Sequence, residues 1–351
     1  MARVTLRDIA KEAGSSLAAV SMALRDDPRI PVSTRNRVKE AAKRLGYRPD
    51  PALSEFIAAR WRGGASREGV TLGFLHNSPN AVGGEARIYQ GALARAGELG
   101  YKLDAFYTKQ YADDAALQRV LRTRNIRGLL LDMLEPPSVN LDWGDFCAVN
   151  CRLGSFLPPL HTVYQDVVSA IEALWQGARV RGYRRIGFAM FEYGKTLIED
   201  DELRRAAIAW TQPQSKGEDV PPLFIASSQE WWHKTPRWYR KWKPDAVLGL
   251  NIAILRALTM EGGVKVPGDV GFARLVTEDD SEIGGIAGLV DPNESIGRAA
   301  IDQLDLCLRT HQYGLPEVRM HHLIEPRWQE GASMPVRITV IKRSGRGRRR
   351  A

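Results

Sequence analysis

Residues 4–16, VTLRDIAKEAGSS, and 19–51, AVSMALRDDPRIPVSTRNRVKEAAKRLGYRPDP, read as three short helices with their start and stop signals in place. Thr5-Leu6-Arg7-Asp8 has the form of a capping box, and Leu6, Ile9, Ala10 and Ala13 follow at helical spacing. Gly14 supplies the residue that tolerates positive φ at a helix end. Ser15 and Ser16 make a turn, with Ser16 as N-cap of a second helix, Leu17 to Arg25, whose inward residues are Val20 and Leu24. Asp26-Asp27-Pro28 breaks the chain, and Ser33 is expected to cap a third helix carrying Val38, Ala41, Ala42 and Leu45 before Gly46. Two short helices joined by a tight turn, braced by a third, match a helix-turn-helix. In that motif the second helix lies in the major groove. Its outward face here is Leu17, Ala18, Ser21, Met22 and Arg25. Thr5, Ser16, Ser21, Arg25, Thr34 and Arg35 suit contacts to DNA phosphates, which position a protein without reading sequence. Small three-helix domains also bind protein alone, so the pattern leaves that reading open.

The charge follows the same division. Residues 1–62 carry 13 Lys/Arg against 7 Asp/Glu, and residues 337–351 carry 7 Lys/Arg and no acid. Of the overall +9, the 274 residues between therefore hold −4. A basic N-terminal unit is the electrostatic footprint of a nucleic-acid binder. The run Arg343-Ser344-Gly345-Arg346-Gly347-Arg348-Arg349-Arg350 reads as a solvated tail with weak attraction for phosphate.

Asp50-Pro51 is an N-cap followed by a proline suited to a first helical turn, so Ala52 to Trp61 reads as a short helix ending at Gly63-Gly64-Ala65-Ser66. Such a helix is too short to stand alone. Its apolar face, Leu53, Phe56 and Ile57, needs a second subunit, DNA, or both.

From residue 69 strand-like and helix-like runs alternate. Strands are expected at 70–75, 102–107, 128–131, 146–150, 185–190, 222–226, 245–250 and 269–273. Helices are expected at 86–99, 114–124, 166–180, 201–210, 230–242 and 252–261. Alternation of this kind argues parallel sheets covered by helices on both faces. About 260 residues exceed one open sheet, and the repeat of the rhythm suggests two similar lobes. Pro236 should break the register of the aromatic segment 229–242. Trp231, Trp238 and Trp242 share a helical face, which suits packing on a sheet. A ring at Trp231 or Trp232 stacking on a ligand is the other reading.

Other chemistry is scarce. Cys147, Cys151 and Cys307 form no CxxC pair, and read as buried thiols in a reducing compartment. His321-His322 lacks a third ligand. No phosphate loop, nucleophile elbow or metal spacing is present, so no catalytic residue, metal or cofactor is expected. No run approaches a membrane span and no signal peptide opens the chain, so the expected location is the cytoplasm.

Residues 4–60 resemble, without a gap, the headpiece and hinge of the lactose/galactose-repressor family of transcription regulators. The body is similar to that family's periplasmic-binding-protein-like sensor at Gly182-Tyr183-Arg184-Arg185-Ile186-Gly187-Phe188, Pro244-Asp245-Ala246-Val247 with Asn251, Val266-Pro267-Gly268-Asp269-Val270, and Ile296 to Leu308. The resemblance implies a dimer on a pseudo-palindromic operator, and since the tail after Met334 has no apolar heptads with which to join two dimers, a homodimer rather than a tetramer is expected. It places Leu17, Ala18 and Met22 against base edges, and Leu53 and Phe56 at the central minor groove with Phe56 as the wedge. Those aliphatic readers replace the polar residues common in the family; they meet thymine methyls but cannot form bidentate hydrogen bonds.

The expected architecture is thus an all-α helix-turn-helix headpiece (1–48), a hinge and linker (49–66), and an α/β two-lobed sensor (67–335), followed by a basic tail (336–351). Lobe 1 takes 67–163 and 291–322, and lobe 2 takes 164–290 and 323–335, with a small-molecule cleft between them. Asn77, Arg152, Trp231 and Asn251 are the expected effector residues. The carboxylates and arginine with which the family holds simple sugars fall on Ile252, Val276 and Ala206, which suits a more apolar or anionic ligand, or none. The expected function is a sequence-specific DNA-binding regulator, a repressor, controlled by that effector. A solute-binding receptor of the periplasmic type is the alternative, and an enzyme is disfavoured.

Overall fold

The computed structural model describes residues 6–16, 19–20, 23–24, 30–45, 47, 70–76, 86–132, 139–154, 157–192, 198–212, 220–226, 230–275 and 285–337. Contacts divide the chain into two compact units. The first is Met1–Cys151, Leu157–Thr162 and Gly297–Met320, and the second is Arg152–Phe156, Val163–Ile296 and His321–Ala351.

In the headpiece, α1 (Leu6–Glu12) and α2 (Val32–Arg44) flank a helical segment described at Ala19, Val20 and Ala23. Ile9, Ala13, Val20, Ala23, Val38, Ala41 and Ala42 form its buried core, with Leu24, Ile30, Leu45 and Tyr47 packed around it. Small alanines at the contacts let three short helices approach closely. Gly14 takes φ +54 just past α1, the positive-φ position expected of it. Ser33 is not the cap of α2: that helix begins at Val32 with Pro31 at the N-cap and no side-chain cap. Proline's fixed φ makes the turn from the preceding segment without one.

One six-stranded sheet has the order β11-β5-β4-β3-β1-β2. Its strands are β1 (Thr71–His76), β2 (Lys102–Tyr107), β3 (Gly128–Leu131), β4 (Cys147–Asn150), β5 (His161–Gln165) and β11 (His321–Ile324). The pairs β1–β2, β1–β3, β3–β4 and β4–β5 are parallel. One face carries Leu75, Phe106, Leu129, Leu131 and Ala148 against Leu117 and Leu121 of α4 (Asp114–Thr123), which Asp113 caps by accepting the Ala116 N–H at 2.6 Å. Beside the sheet lie α3 (Arg87–Leu99) and α9 (Asn293–Thr310), which approach so closely at Gly297 that a Cβ there would lie 2.0 Å from the Ile88 carbonyl oxygen.

The second unit repeats the plan with the order β12-β10-β9-β8-β6-β7. Here β6 (Ile186–Phe191), β7 (Leu223–Ile225), β8 (Ala246–Gly249), β9 (Gly271–Arg274) and β10 (Ala287–Val290) run parallel, and β12 (Arg327–Gln329) pairs antiparallel with β10. Its helices are α5 (Val167–Val180), α6 (Ile198–Thr211), α7 (Trp231–Trp242) and α8 (Ile252–Arg256), the last continuing as a π-turn over Ala257–Glu261. Asp166 caps α5 through the Ser169 N–H at 3.0 Å.

Pro236 does not break α7. The helix runs through it, with Thr235, Pro236 and Trp238 buried. Trp238 lies against Gly187, where a Cβ would come within 2.5 Å of the indole, and its Nε1 donates to the Pro221 carbonyl at 2.8 Å. Packing of that face outweighs the one main-chain bond the proline removes.

Candidate nucleic-acid interface and sensor residues

The turn and second helix of the headpiece are fixed by side chains. Ser16 Oγ accepts the Ala19 N–H at 3.2 Å, and the Val20 and Leu24 N–H groups bond to the carbonyls of Ser16 and Val20. Arg37 Nη2 donates to Ser15 Oγ at 3.4 Å, and Arg44 pairs with Glu12 at 3.2 Å across the exposed side. Thr34 and Arg35 occupy the first turn of α2, both half-exposed, where the positive end of the helix dipole favours an anion. Arg7, Lys11, Arg37, Lys39 and Lys43 are exposed around them. Thr5, Leu17, Ala18, Ser21, Met22 and Arg25 lie outside the described residues, as do Leu53 and Phe56 of the hinge.

In the first unit, three polar residues end successive apolar strands: His76 on β1, Asp132 just after β3 and Asn150 on β4, all buried. Leu75 pairs with Leu131 and Leu131 with Asn150, and the Asp132 N–H bonds to the Leu75 carbonyl at 3.0 Å, so the three sit at one edge of the sheet. Asn150 Nδ2 donates to the Pro158 carbonyl at 2.9 Å, while its Oδ1 is buried without a partner. His76 lies 5.5 Å from Tyr107 and 6.3 Å from Phe74, ring to ring. Open α/β sheets bind ligands at the carboxyl ends of their strands. Sequence reasoning missed these residues, although a polar residue closing an apolar run was visible at each. Asn77 lies outside the described residues.

In the second unit, Asn251 follows β8 and caps α8, its Oδ1 accepting the Ala253 N–H at 3.1 Å. Trp231 opens α7, and its ring meets Phe191 at 6.1 Å and Trp232 at 5.0 Å, both edge-on. Trp231 packs on the core around Val247 and Phe272, and Trp232 Nε1 donates to Glu261 at 3.1 Å. Arg152 is half-exposed and lies within electrostatic reach of Asp200 on α6. Burial pushes the Asp200 carboxyl up, against the pull of the Arg204 guanidinium. Buried Arg204 is held by Asp200 and Asp201, one and nearly one turn earlier on α6. Arg205 donates to Glu192 at 2.6 Å and lies 4.1 Å over Phe224. Sequence reasoning also missed Arg274, which ends β9 only 2% exposed. Val276 lies outside the described residues. Among the described residues no group of three His, Cys, Asp or Glu is placed to hold a metal.

Residues 5–50 match the model of the bacterial regulatory proteins, lacI family. Catabolite control protein A of Staphylococcus aureus (strain Mu50 / ATCC 700699) is 34% identical over 346 residues, covering 92% of this chain and 98% of that protein. The chain belongs to the LacI family. A catabolite control protein A of Staphylococcus epidermidis (strain ATCC 12228 / FDA PCI 1200) is 25% identical over 342 residues, covering 92% of this chain and 98% of that protein. The lac repressor dimer bound to operator and the anti-inducer ONPF has the same fold, with a TM-score of 0.55, 18% identity and coverage of 95% of this chain and 99% of that one. A CelR–cellobiose complex is similar at TM-score 0.56 and 18% identity, covering 94% and 100%. This LacI-family chain is therefore a DNA-binding transcription regulator, with a helical headpiece and a two-lobed α/β sensor of the periplasmic-binding-protein type. No described helix is long and apolar enough to cross a membrane.

Proposed function

We propose that the chain is a cytoplasmic repressor that binds a pseudo-palindromic operator as a homodimer and releases or gains DNA when a small molecule occupies its sensor. The observation that carries this reading is the headpiece: a helix begun by Ser16 on a core of Ile9, Val20, Val38 and Ala41, with Thr34 and Arg35 on the first turn of the bracing helix. A solute receptor of the same body fold has no use for such a unit. Leu17, Ala18 and Met22 read bases; Thr5, Ser16, Ser21, Arg25, Thr34 and Arg35 hold phosphates; Leu53 and Phe56 enter the central minor groove. Asn77, Arg152, Trp231 and Asn251 contribute to effector binding, and His76, Asp132 and Asn150, at the strand ends of the first unit, are further candidate effector contacts. Two-fold symmetry matches one headpiece to each half-site. The sensor works by binding, with no chemistry performed on the ligand.

Selection of bound sequences from random duplex DNA, with and without candidate metabolites, tests this. A palindromic motif whose recovery changes with one metabolite is the expected result. Recovery of no preferred sequence by the full chain rejects it.

A further inference from the structure

Strand β11 ends its six-stranded sheet, with β5 on one side and no described strand on the other. The Thr162 and Asp166 N–H groups bond to the carbonyls of Met320 and Ile324. Main-chain groups alternate in direction along a strand, so the even residues spend theirs on β5 while those of His321 and Leu323 point outward. Residues 317–323 are exposed without a break, and Val318, Met320 and Leu323 leave apolar surface in water there. Glu317, Arg319, Glu325 and Arg327 are exposed too, and make no ion pair among the described residues.

An open edge is a template for another strand, and proteins ordinarily blunt it with lysines, prolines, bulges or brevity. β11 has four residues, so a partner must be specified by what flanks it. Antiparallel pairing of this edge with the same edge of a second copy, about a two-fold axis, joins odd residues to odd and can centre on residue 321, 322 or 323. Centred on His321, Glu317 would oppose the partner's Glu325. Centred on Leu323, Arg319 would oppose the partner's Arg327. Centred on His322, Arg319 opposes the partner's Glu325, Glu317 opposes the partner's Arg327, and Met320 opposes the partner's Ile324. Opposite charges and apolar side chains across two strands stabilise the pair, and like charges destabilise it. Of the three registers only the one centred on His322 meets both conditions.

We propose that β11 seats a second copy of this chain, joined edge to edge about a two-fold axis at His322, so that two six-stranded sheets continue as one. His321 and the partner's Leu323 exchange main-chain hydrogen bonds, twice by symmetry. The two His322 residues face each other in the closer, non-hydrogen-bonded pairing, with Cα atoms about 4.5 Å apart. An unrelated extended peptide would meet the same main-chain groups but lack the order Glu-Arg-Glu-Arg arranged symmetrically about His322. Such a contact adds to the operator-binding homodimer: it joins one homodimer to the next without a coiled coil, and so holds two operator-bound homodimers together.

The test is sedimentation of the full chain at rising concentration, where the wild type should form species larger than the homodimer. Arg319→Glu and Glu325→Arg each set like charges opposite one another twice, and each should weaken that association roughly tenfold. An equimolar mixture of the two variants should regain it, because each supplies the sign the other has lost, and so should the double variant Arg319→Glu/Glu325→Arg. All these positions are exposed, so folding is spared. Under the thiol oxidant diamide, His322→Cys should link two chains by a disulfide, since its Cα separation lies within disulfide reach. His321→Cys and Leu323→Cys should not, each lying two residues out of line with its own copy, and the natural cysteines are buried. A size distribution that neither charge variant changes overturns the proposal. So does a mixture that restores nothing, or a cross-link at residue 321 or 323 in place of 322. Such a failure leaves the operator reading standing, because sequence selection by the headpiece uses none of these residues. If the mixture restores association while random-sequence selection yields no motif, the operator reading is the one that fails.

Discussion

Ser16 Oγ accepts the backbone N–H of Ala19 at 3.2 Å, closing the first turn of the headpiece's second helix. The bond satisfies one of the donors that a helix start leaves free, and it sets where the turn ends and the helix begins. Ser16→Ala should cost about 1 kcal/mol locally, with Ser16→Asn close to neutral. Amide exchange of residues 19–24 in the alanine variant should quicken roughly fivefold, the factor such an energy corresponds to. Exchange that is the same in both variants would show that the turn is held by other means.

The crossing of α3 and α9 admits no side chain at Gly297. A Cβ there would meet the Ile88 carbonyl oxygen at 2.0 Å and the Ala92 nitrogen at 2.7 Å, both main-chain atoms that cannot rotate away. Gly297→Ala should destabilise the first unit by about 3 kcal/mol, the upper end of ordinary overpacking. Gly97, on α3 itself, has nothing within 4 Å of its would-be Cβ. Gly97→Ala should stabilise by about 0.5–1 kcal/mol by helix propensity alone. Denaturant titration of the pair checks both signs.

How far the sequence disclosed this structure depends on what each element rests on. Strand β3, Gly128–Leu131, is a fully buried apolar run that opens on a glycine, and its bounds were readable to the residue. The Ser16 cap was readable for the same local reason. Ser33 misled because serine before a helical pattern looks like a cap, whereas Pro31 already fixes the entry to α2. Pro236 misled because a proline's local cost is visible in sequence while the burial of Trp238 against Gly187 that offsets it is a long-range contact. The same holds for the edge residues. That Leu75, Leu131 and Asn150 fall in one row is a matter of register between strands far apart in the chain, so His76 and Asp132 gave no signal of belonging together.

Glu98 joins the same two helices. It receives Arg95 and Arg298, each at 2.8 Å, and these hydrogen bonds hold its carboxyl below the ordinary value of 4.5. A depressed folded pKa contributes stability that is complete above the unfolded value and vanishes as pH falls through the folded one. Glu98→Gln should therefore lower the denaturation midpoint at neutral pH, with the difference closing as pH drops below 4.5. A gap that persists unchanged at acid pH would assign the loss to packing.

Phosphate and base contacts should separate in their salt and sequence dependence. Arg35→Ala is expected to weaken binding across all duplexes and to flatten the salt slope by about one contact's worth. Met22→Ala is expected to change preference at one half-site position and leave the slope alone. Phe56→Ala should reduce affinity for the operator far more than for random duplex, because the wedge is used only where DNA is bent. Titrations of the three variants on operator and random duplexes supply the comparison. Equal losses on both for Phe56→Ala would mark a folding defect instead.

The effector should be something other than a plain hexose. At the strand ends of the second unit Asn251 Oδ1 already accepts the Ala253 N–H, and the next residue, Ile252, has an apolar side chain with no acceptor to offer a sugar hydroxyl. Trp231 and Phe191 offer ring surface, while Arg152 and the Asp200–Arg204 pair offer charge. A polyol that leaves hydroxyls unpaired in such a site is penalised heavily, and an aromatic or anionic compound is not. In a calorimetric panel of free sugars, sugar phosphates and aromatic metabolites, hexoses should bind no tighter than about 1 mM, roughly −4 kcal/mol. Trp231→Ala should weaken the compound that does bind. Because Asn251 also caps a helix, Asn251→Ser is the cleaner probe, since it keeps an oxygen for the Ala253 N–H while removing the amide. Tight hexose binding that releases DNA and is lost in Asn251→Ser would overturn this expectation.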